Sequence, residues 1–162
     1  MDLTQIAVIF LAAMTPIGEL RLSIPLAISI YETPWFWALS ISVVGNLIPV
    51  VVLVIGLDRF SNFILGFNNP ISDLLNWQWN KIQTKQSARF QKYGSFLLII
   101  LVAIPLPMTG AWTGALVSWV FRVPVVKSIM MLSIGVVLAG CLVSFAFLSG
   151  LSLLGFFTTE PR

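Results

Sequence analysis

Histidine is absent from the 162 residues, cysteine occurs once, and only nine Lys and Arg and six Asp and Glu are present. Charged residues make up 9% of the chain, against about 25% in an ordinary soluble domain. Without histidine there is no material for a His-dependent nucleophilic mechanism or a His-rich metal site. Cys141 stands alone in an apolar run, so it forms neither an intramolecular disulfide nor a Cys cluster and reads as a small packed hydrophobe. The three aspartates, Asp2, Asp58 and Asp73, lie at or outside the ends of apolar runs, which leaves no intramembrane aspartate pair. An enzyme is therefore not expected, nor a cofactor, a metal or a nucleic-acid partner. The first charge is the acidic Asp2, with no Lys or Arg ahead of the apolar stretch, unlike a secretory signal.

What is abundant is hydrocarbon. The hydrophobic share is 58%, too much for one globular core of this size to hide, so the expected solvent is a bilayer. Charge-free runs cover Leu3 to Gly18 (16 residues), Thr33 to Leu57 (25), Tyr93 to Phe121 (29) and Ser128 to Thr159 (32), whereas a straight crossing needs about 20 residues. Two runs read as simple spans: Trp35 to Leu57, with Trp35 and Trp37 as interfacial anchors and Asp58 and Arg59 at its end, and the run after Lys127 to about Phe157.

The other two are broken. Met14-Thr15-Pro16-Ile17-Gly18 interrupts the first after about twelve apolar residues, before Glu19-Leu20-Arg21-Leu22-Ser23-Ile24-Pro25 and a second stretch to Ile30. Ile104-Pro105-Leu106-Pro107-Met108-Thr109-Gly110 interrupts the third in the same way, before Ala111 to Phe121. Proline removes a helix donor and steers the preceding residue out of the helical region, and unwound backbone survives in a membrane only where protein or a water-filled cavity surrounds it. Each break reads as a re-entrant hairpin of two half-helices, with tips at Pro16, Gly18 and Pro25 and at Pro105, Pro107, Gly110 and Gly114.

A shift of 90 residues places Ser23 on Thr113, Leu26 on Leu116, Pro34 on Pro124 and Gly45 on Gly135. A hairpin that returns to its own side plus one full span makes an odd number of crossings, so the second half is expected to be inverted. Inverted repeats with broken helices put binding sites near the midplane, at the repeat interface. The expected fold is an all-α integral membrane domain over 1–162: repeat 1 at 3–57, a linker at 58–94 and repeat 2 at 95–157. The linker holds seven charges, five of them basic, and should face the cytoplasm of a multi-pass protein of the inner (plasma) membrane. Leu75, Trp79, Ile82, Gln86, Phe90 and Tyr93 gather on one helical face and Lys81, Lys85, Arg89 and Lys92 on its flank, as in an amphipathic helix lying on anionic lipid.

Glu19 and Arg21 stand beside the first tip, and an ionisable group at membrane depth is a functional hypothesis by default. Two residues apart, they would not face each other on a regular helix, so a shared site requires unwound backbone there. Glu19 suits a proton carrier and Arg21 an anionic head group; both also fit an interfacial boundary. Gly110, Gly114 and Ser118 recur every fourth residue and favour close packing. Thr109 would cap the second half-helix, whose N-terminus favours an anion. Trp112 and Thr113 are further candidates for substrate contact. Asn46, between Gly45 and Pro49, puts an amide about halfway across the first span, where a bond to another helix or to a tip is expected.

The tips Pro16-Ile17-Gly18-Glu19-Leu20-Arg21-Leu22-Ser23-Ile24-Pro25 and Ile104-Pro105-Leu106-Pro107-Met108-Thr109-Gly110-Ala111-Trp112-Thr113-Gly114-Ala115 resemble the small multidrug-export family across nearly the whole chain. That family looks distantly similar to the DedA or VTT membrane protein superfamily, whose members use two opposed re-entrant hairpins and move phosphorylated isoprenoid lipids or scramble phospholipids. The resemblance implies acidic and basic roles for Glu19 and Arg21, whereas Thr109, Ala111 and Trp112 stand where DedA proteins carry arginine. The resulting expectation is a small transporter exporting amphipathic, drug-like compounds with proton coupling through Glu19. Alternatives are DedA-like flipping of isoprenyl phosphate or phospholipid with Arg21 on the phosphate, and a non-transporting scaffold. Membrane lipids and a small amphipathic or anionic substrate are the expected partners, and a homodimer is compatible with the small-residue faces.

Overall fold

The computed structural model describes residues 2–65, 96–104 and 110–158, without the side chains of 62, 64, 65 and 151–158. Every regular element among them is helical: α1 (Leu3–Met14), α2 (Glu19–Ser29), α3 (Trp35–Leu65), α4 (96–103), α5 (Ala111–Val120) and α6 (Val125–Thr158). Stretches of α3 and α6, Trp35–Ser61 and Val125–Gly150, are each long and apolar enough to cross a membrane. Leu11, Val52, Phe96, Val126 and Phe145 are among many large apolar side chains on the surface, a distribution that suits lipid rather than water.

Helix α1 starts with a capping box between Asp2 and Gln5 and ends where Pro16 removes a donor. Helix α3 packs against α1, α2, α5 and α6. Its buried stripe, Ala38, Ser42, Asn46, Val50 and Val54, follows the i, i+4 spacing of one helical face. Helix α6 repeats the pattern with Ser128, Leu132, Val136 and Ala139. Between them a core forms from Leu20, Ile24, Leu98, Val102, Ala111 and Ala115 together with these stripes.

Two corners match in backbone detail. Glu32 and Arg122, 90 residues apart, both adopt a left-handed conformation, at φ 48° and 51°. Each precedes a residue whose N–H turns back to the foregoing helix, Thr33 to Ala27 O at 3.0 Å and Val123 to Ser118 O at 2.9 Å. Pro34 and Pro124 follow, accepting from Ala38 N at 3.1 Å and Ser128 N at 2.8 Å. Glycines bring the first helix of each half onto the long one. A Cβ on Gly45 would lie 2.8 Å from Phe10 O and 3.1 Å from Ala13 Cβ; one on Gly135 would lie 2.8 Å from Val102 Cβ and 3.1 Å from Ile99 O. Gly140 faces Leu39 and Val43, whereas Val125 lines a cavity with Val54, Asp58 and Ser61. The start of α6 thus lies by the end of α3, and the two helices run antiparallel.

Some expectations change. The helix that carries the first span runs past Leu57, since α3 continues to Leu65. Asp58 and Arg59 are no obstacle to a helix, which only proline or glycine would interrupt strongly. Pro25 lies inside α2, not at a tip. Cys141 is exposed rather than packed, because Ala139, Gly140 and Ser144 take the buried face of α6. The amphipathic face from Leu75 to Tyr93, the tip prolines Pro105 and Pro107, and Thr109 lie outside the described residues.

Candidate functional site

The first break is a short, self-bonded loop. The Thr15 hydroxyl donates to Ala12 O at 2.8 Å and accepts from Gly18 N–H at 3.0 Å, and Glu19 N–H donates to Thr15 O at 3.1 Å. Gly18 is required for this closure, since a Cβ there would stand 2.5 Å from Thr15 Oγ1 and 2.8 Å from Ala12 O. Pro16 and Ile17 are left exposed. Unwinding ends at Gly18, and helix α2 begins at Glu19 itself. Arg21 lies in the first turn of α2, and the irregular backbone is confined to Glu19 and the loop before it.

What turns Glu19 toward its partner is its own backbone, held at φ 44°. A non-glycine residue there costs of order 1–3 kcal/mol and persists only where the surroundings over-determine it. The surroundings are the second half of the chain. The buried Glu19 carboxylate accepts hydrogen bonds from the backbone N–H groups of Trp112 and Ala111, and the Arg21 charge attracts it as well. Gly110, the N-cap residue of α5, lies in extended backbone at φ −153°. A Cβ on it would overlap both carboxylate oxygens and the carbon between them. The carboxylate of one half thus caps the helix of the other, satisfying donors that every helix start leaves open.

The junction sits at mid-bundle. Gly45, which touches the end of α1, is near the middle of the Trp35–Ser61 stretch, and Gly135 is near the middle of Val125–Gly150. Gly114 packs as anticipated, with a Cβ position 2.6 Å from Leu132 Cδ2 and 2.8 Å from Val102 Cγ2. Arg21 and Thr113 are partly buried and engaged within the protein. The Trp112 indole Nε1 is buried without a hydrogen-bond partner.

Asn46 is fully buried, yet its Oδ1 has no partner, and Ser42 Oγ one turn earlier has none either. An unsatisfied buried acceptor costs about 1–3 kcal/mol. Asn46→Leu, similar in size and apolar, is accordingly expected to raise the melting temperature of the purified protein in detergent. A lower melting temperature would show that the amide contributes more through its N–H groups than its oxygen costs.

Sequence reasoning singled out Glu19 but not its partners, the backbone of Ala111 and Trp112, and it took Asp58 for a boundary marker. The available signal for Asp58 was its spacing: Val54, Asp58 and Ser61 continue the buried face of α3. No curated protein and no solved structure matches the chain. The two long apolar helices and the lipid-like surface suit a membrane protein, and one sequence family agrees with that. The model of the family described as "Putative small multi-drug export protein" matches residues 19–142, from the capping carboxylate through both glycine contacts, and the chain belongs to that family.

Proposed function

We propose that the chain is a transporter and not an enzyme, exporting small amphipathic compounds across the inner membrane with Glu19 as the coupling group. The observation that carries this reading is the Glu19 carboxylate on the N-terminus of α5. In the charged form it latches α2 to α5, because a carboxylate is drawn to the positive end of a helix and accepts strong hydrogen bonds there. Protonation removes the charge and with it most of that attraction. The tips then part, opening a route between halves that we infer to be an inverted repeat of re-entrant hairpins. The matched corners, the matched glycine contacts and the antiparallel course of α3 and α6 support that inference. Arg21 stays beside the vacated helix end, ready for an anionic group on the substrate.

The occupant of the α5 N-terminus is itself an anion, and this favours one second reading: flipping of an isoprenyl phosphate or phospholipid, in the manner of DedA proteins, with the phosphate replacing the Glu19 carboxylate. Flux into proteoliposomes distinguishes them. Wild type under an imposed pH gradient should accumulate members of a panel of amphipathic drugs, and Glu19→Gln should reduce accumulation to background while remaining folded. Equal gradient-driven flux in both would exclude Glu19 as the coupling group. Gradient-independent equilibration of isoprenyl phosphates by wild type would select the second reading.

A further inference from the structure

A polar cavity lies away from the Glu19 junction, where the end of α3, the end of α5 and the start of α6 converge. Its volume is about 330 Å³, and its lining includes Val54, Asp58, Ser61, Ser118, Trp119 and Arg122. Ser118 is seven residues along α5 from Ala111, a separation of about 10 Å at 1.5 Å per residue. The volume falls at the small end of the range for ligand pockets, about 300–1,000 Å³. It suits a compact head group rather than a whole drug-sized molecule.

The polarity of the lining is specific. The Ser61 hydroxyl donates to Asp58 O at 2.9 Å, and the Ser118 hydroxyl donates to Ala115 O at 2.8 Å. A hydroxyl has one proton to give and two lone pairs, so both serines present acceptors to the cavity. With the Asp58 carboxylate, the acceptors call for a ligand rich in N–H donors, and the Trp119 ring suits a cation. Arg122, held at the corner in its left-handed conformation, calls for an anion. Asp58 and Arg122 are both engaged within the protein. A ligand carrying one charge of each sign can exchange with those partners without leaving a net charge behind, whereas a simple cation or anion cannot.

We propose that this cavity binds a small zwitterionic head group, a primary ammonium joined to a phosphate-like anion. The ammonium lies toward Asp58, Ser61 and Ser118, and the anion toward Arg122. The same chemistry, one ammonium and one singly charged phosphodiester, occurs in soluble glycerophosphoethanolamine and in an ethanolamine lipid head group. Because the ammonium must donate, a trimethylated analogue of the same charge and reach is discriminated against.

Calorimetric titration of the full chain in detergent tests this without any gradient, so the result is independent of proton-driven export. Glycerophosphoethanolamine should bind at least about tenfold more tightly than glycerophosphocholine, ethanolamine or inorganic phosphate, the worth of one charge-assisted hydrogen bond. In a parallel arm, native mass spectrometry of protein exchanged into mixed lipid should show ethanolamine lipid retained over choline lipid. Preference in the first arm identifies a soluble zwitterion, and preference only in the second identifies a lipid. Asp58→Asn should erase the preference. Ser61→Ala, a smaller change that leaves both charges in place, should reduce it severalfold. Equal binding of the ethanolamine and choline forms in both arms would overturn the proposal, as would a preference that survives both substitutions or an absence of binding in both arms.

Discussion

Gly110→Ala is expected to destabilise the protein by about 3 kcal/mol and to stop transport, although alanine is at ease in the extended backbone at this position. The effect comes from space alone. The added methyl group would occupy the place of the Glu19 carboxylate, which must swing away and give up the N–H groups of Ala111 and Trp112. That leaves a buried charge without its hydrogen bonds and a helix start without its cap. Removing one partner of a buried charge typically costs about 3–5 kcal/mol, and part is recovered here if Glu19 reaches water or takes up a proton. The check is a double-mutant cycle by thermal or chemical unfolding. Glu19→Ala removes the obstructing carboxylate, so adding Gly110→Ala to it should cost far less than adding it to wild type. Additive losses would mean that the two residues do not meet.

The second large effect falls on the paired glycines. Gly45→Leu or Gly135→Leu should each prevent recovery of a folded, monodisperse protein, because the contacts at 2.8 Å include Phe10 backbone in one case and the Val102 Cβ in the other. Neither can move without displacing its helix. Overpacking by single methylenes already costs about 1–3 kcal/mol, and leucine adds four carbon atoms to glycine. Gly56→Leu on α3 is the control, since nothing stands within 4 Å of its Cβ position, and it should behave as wild type in size-exclusion chromatography. Loss of folding in all three would point to a general intolerance of bulk in the long helices. Survival of all three would show that the helices of each half do not approach at these glycines.

The first break was easier to read from the sequence than the contacts were. Pro16 and Gly18 announced the first interruption because proline and glycine act on their own backbone, and local rules hold wherever the residue sits. The 90-residue offset was visible in Pro34, Pro124, Gly45 and Gly135, and the structure adds Glu32 and Arg122, which differ in charge and so concealed their equivalence. The capping of α5 by Glu19 was not legible. It joins residue 19 to residues 111 and 112 through backbone N–H groups, which every sequence possesses and none advertises. Asn46 was recognisable as a polar residue halfway along a span, but the lack of a partner for its oxygen depends on which neighbours arrive. Asp58 and Arg59 did not foretell where α3 ends, because charge marks where a chain meets water, not where a helix stops.

The equivalence of Glu32 and Arg122 carries a consequence for sidedness. Both occupy the same left-handed corner, one ahead of α3 and the other ahead of α6, and the antiparallel course of those helices puts the corners at opposite ends of the bundle. On the inverted repeat proposed above, a copy turned upside down would present these two corners alike in backbone. The side chains there differ, a carboxylate at one corner and a guanidinium at the other. On that reading, orientation in the membrane would be set by the charges of corners and linker, which can change while the helices keep their packing.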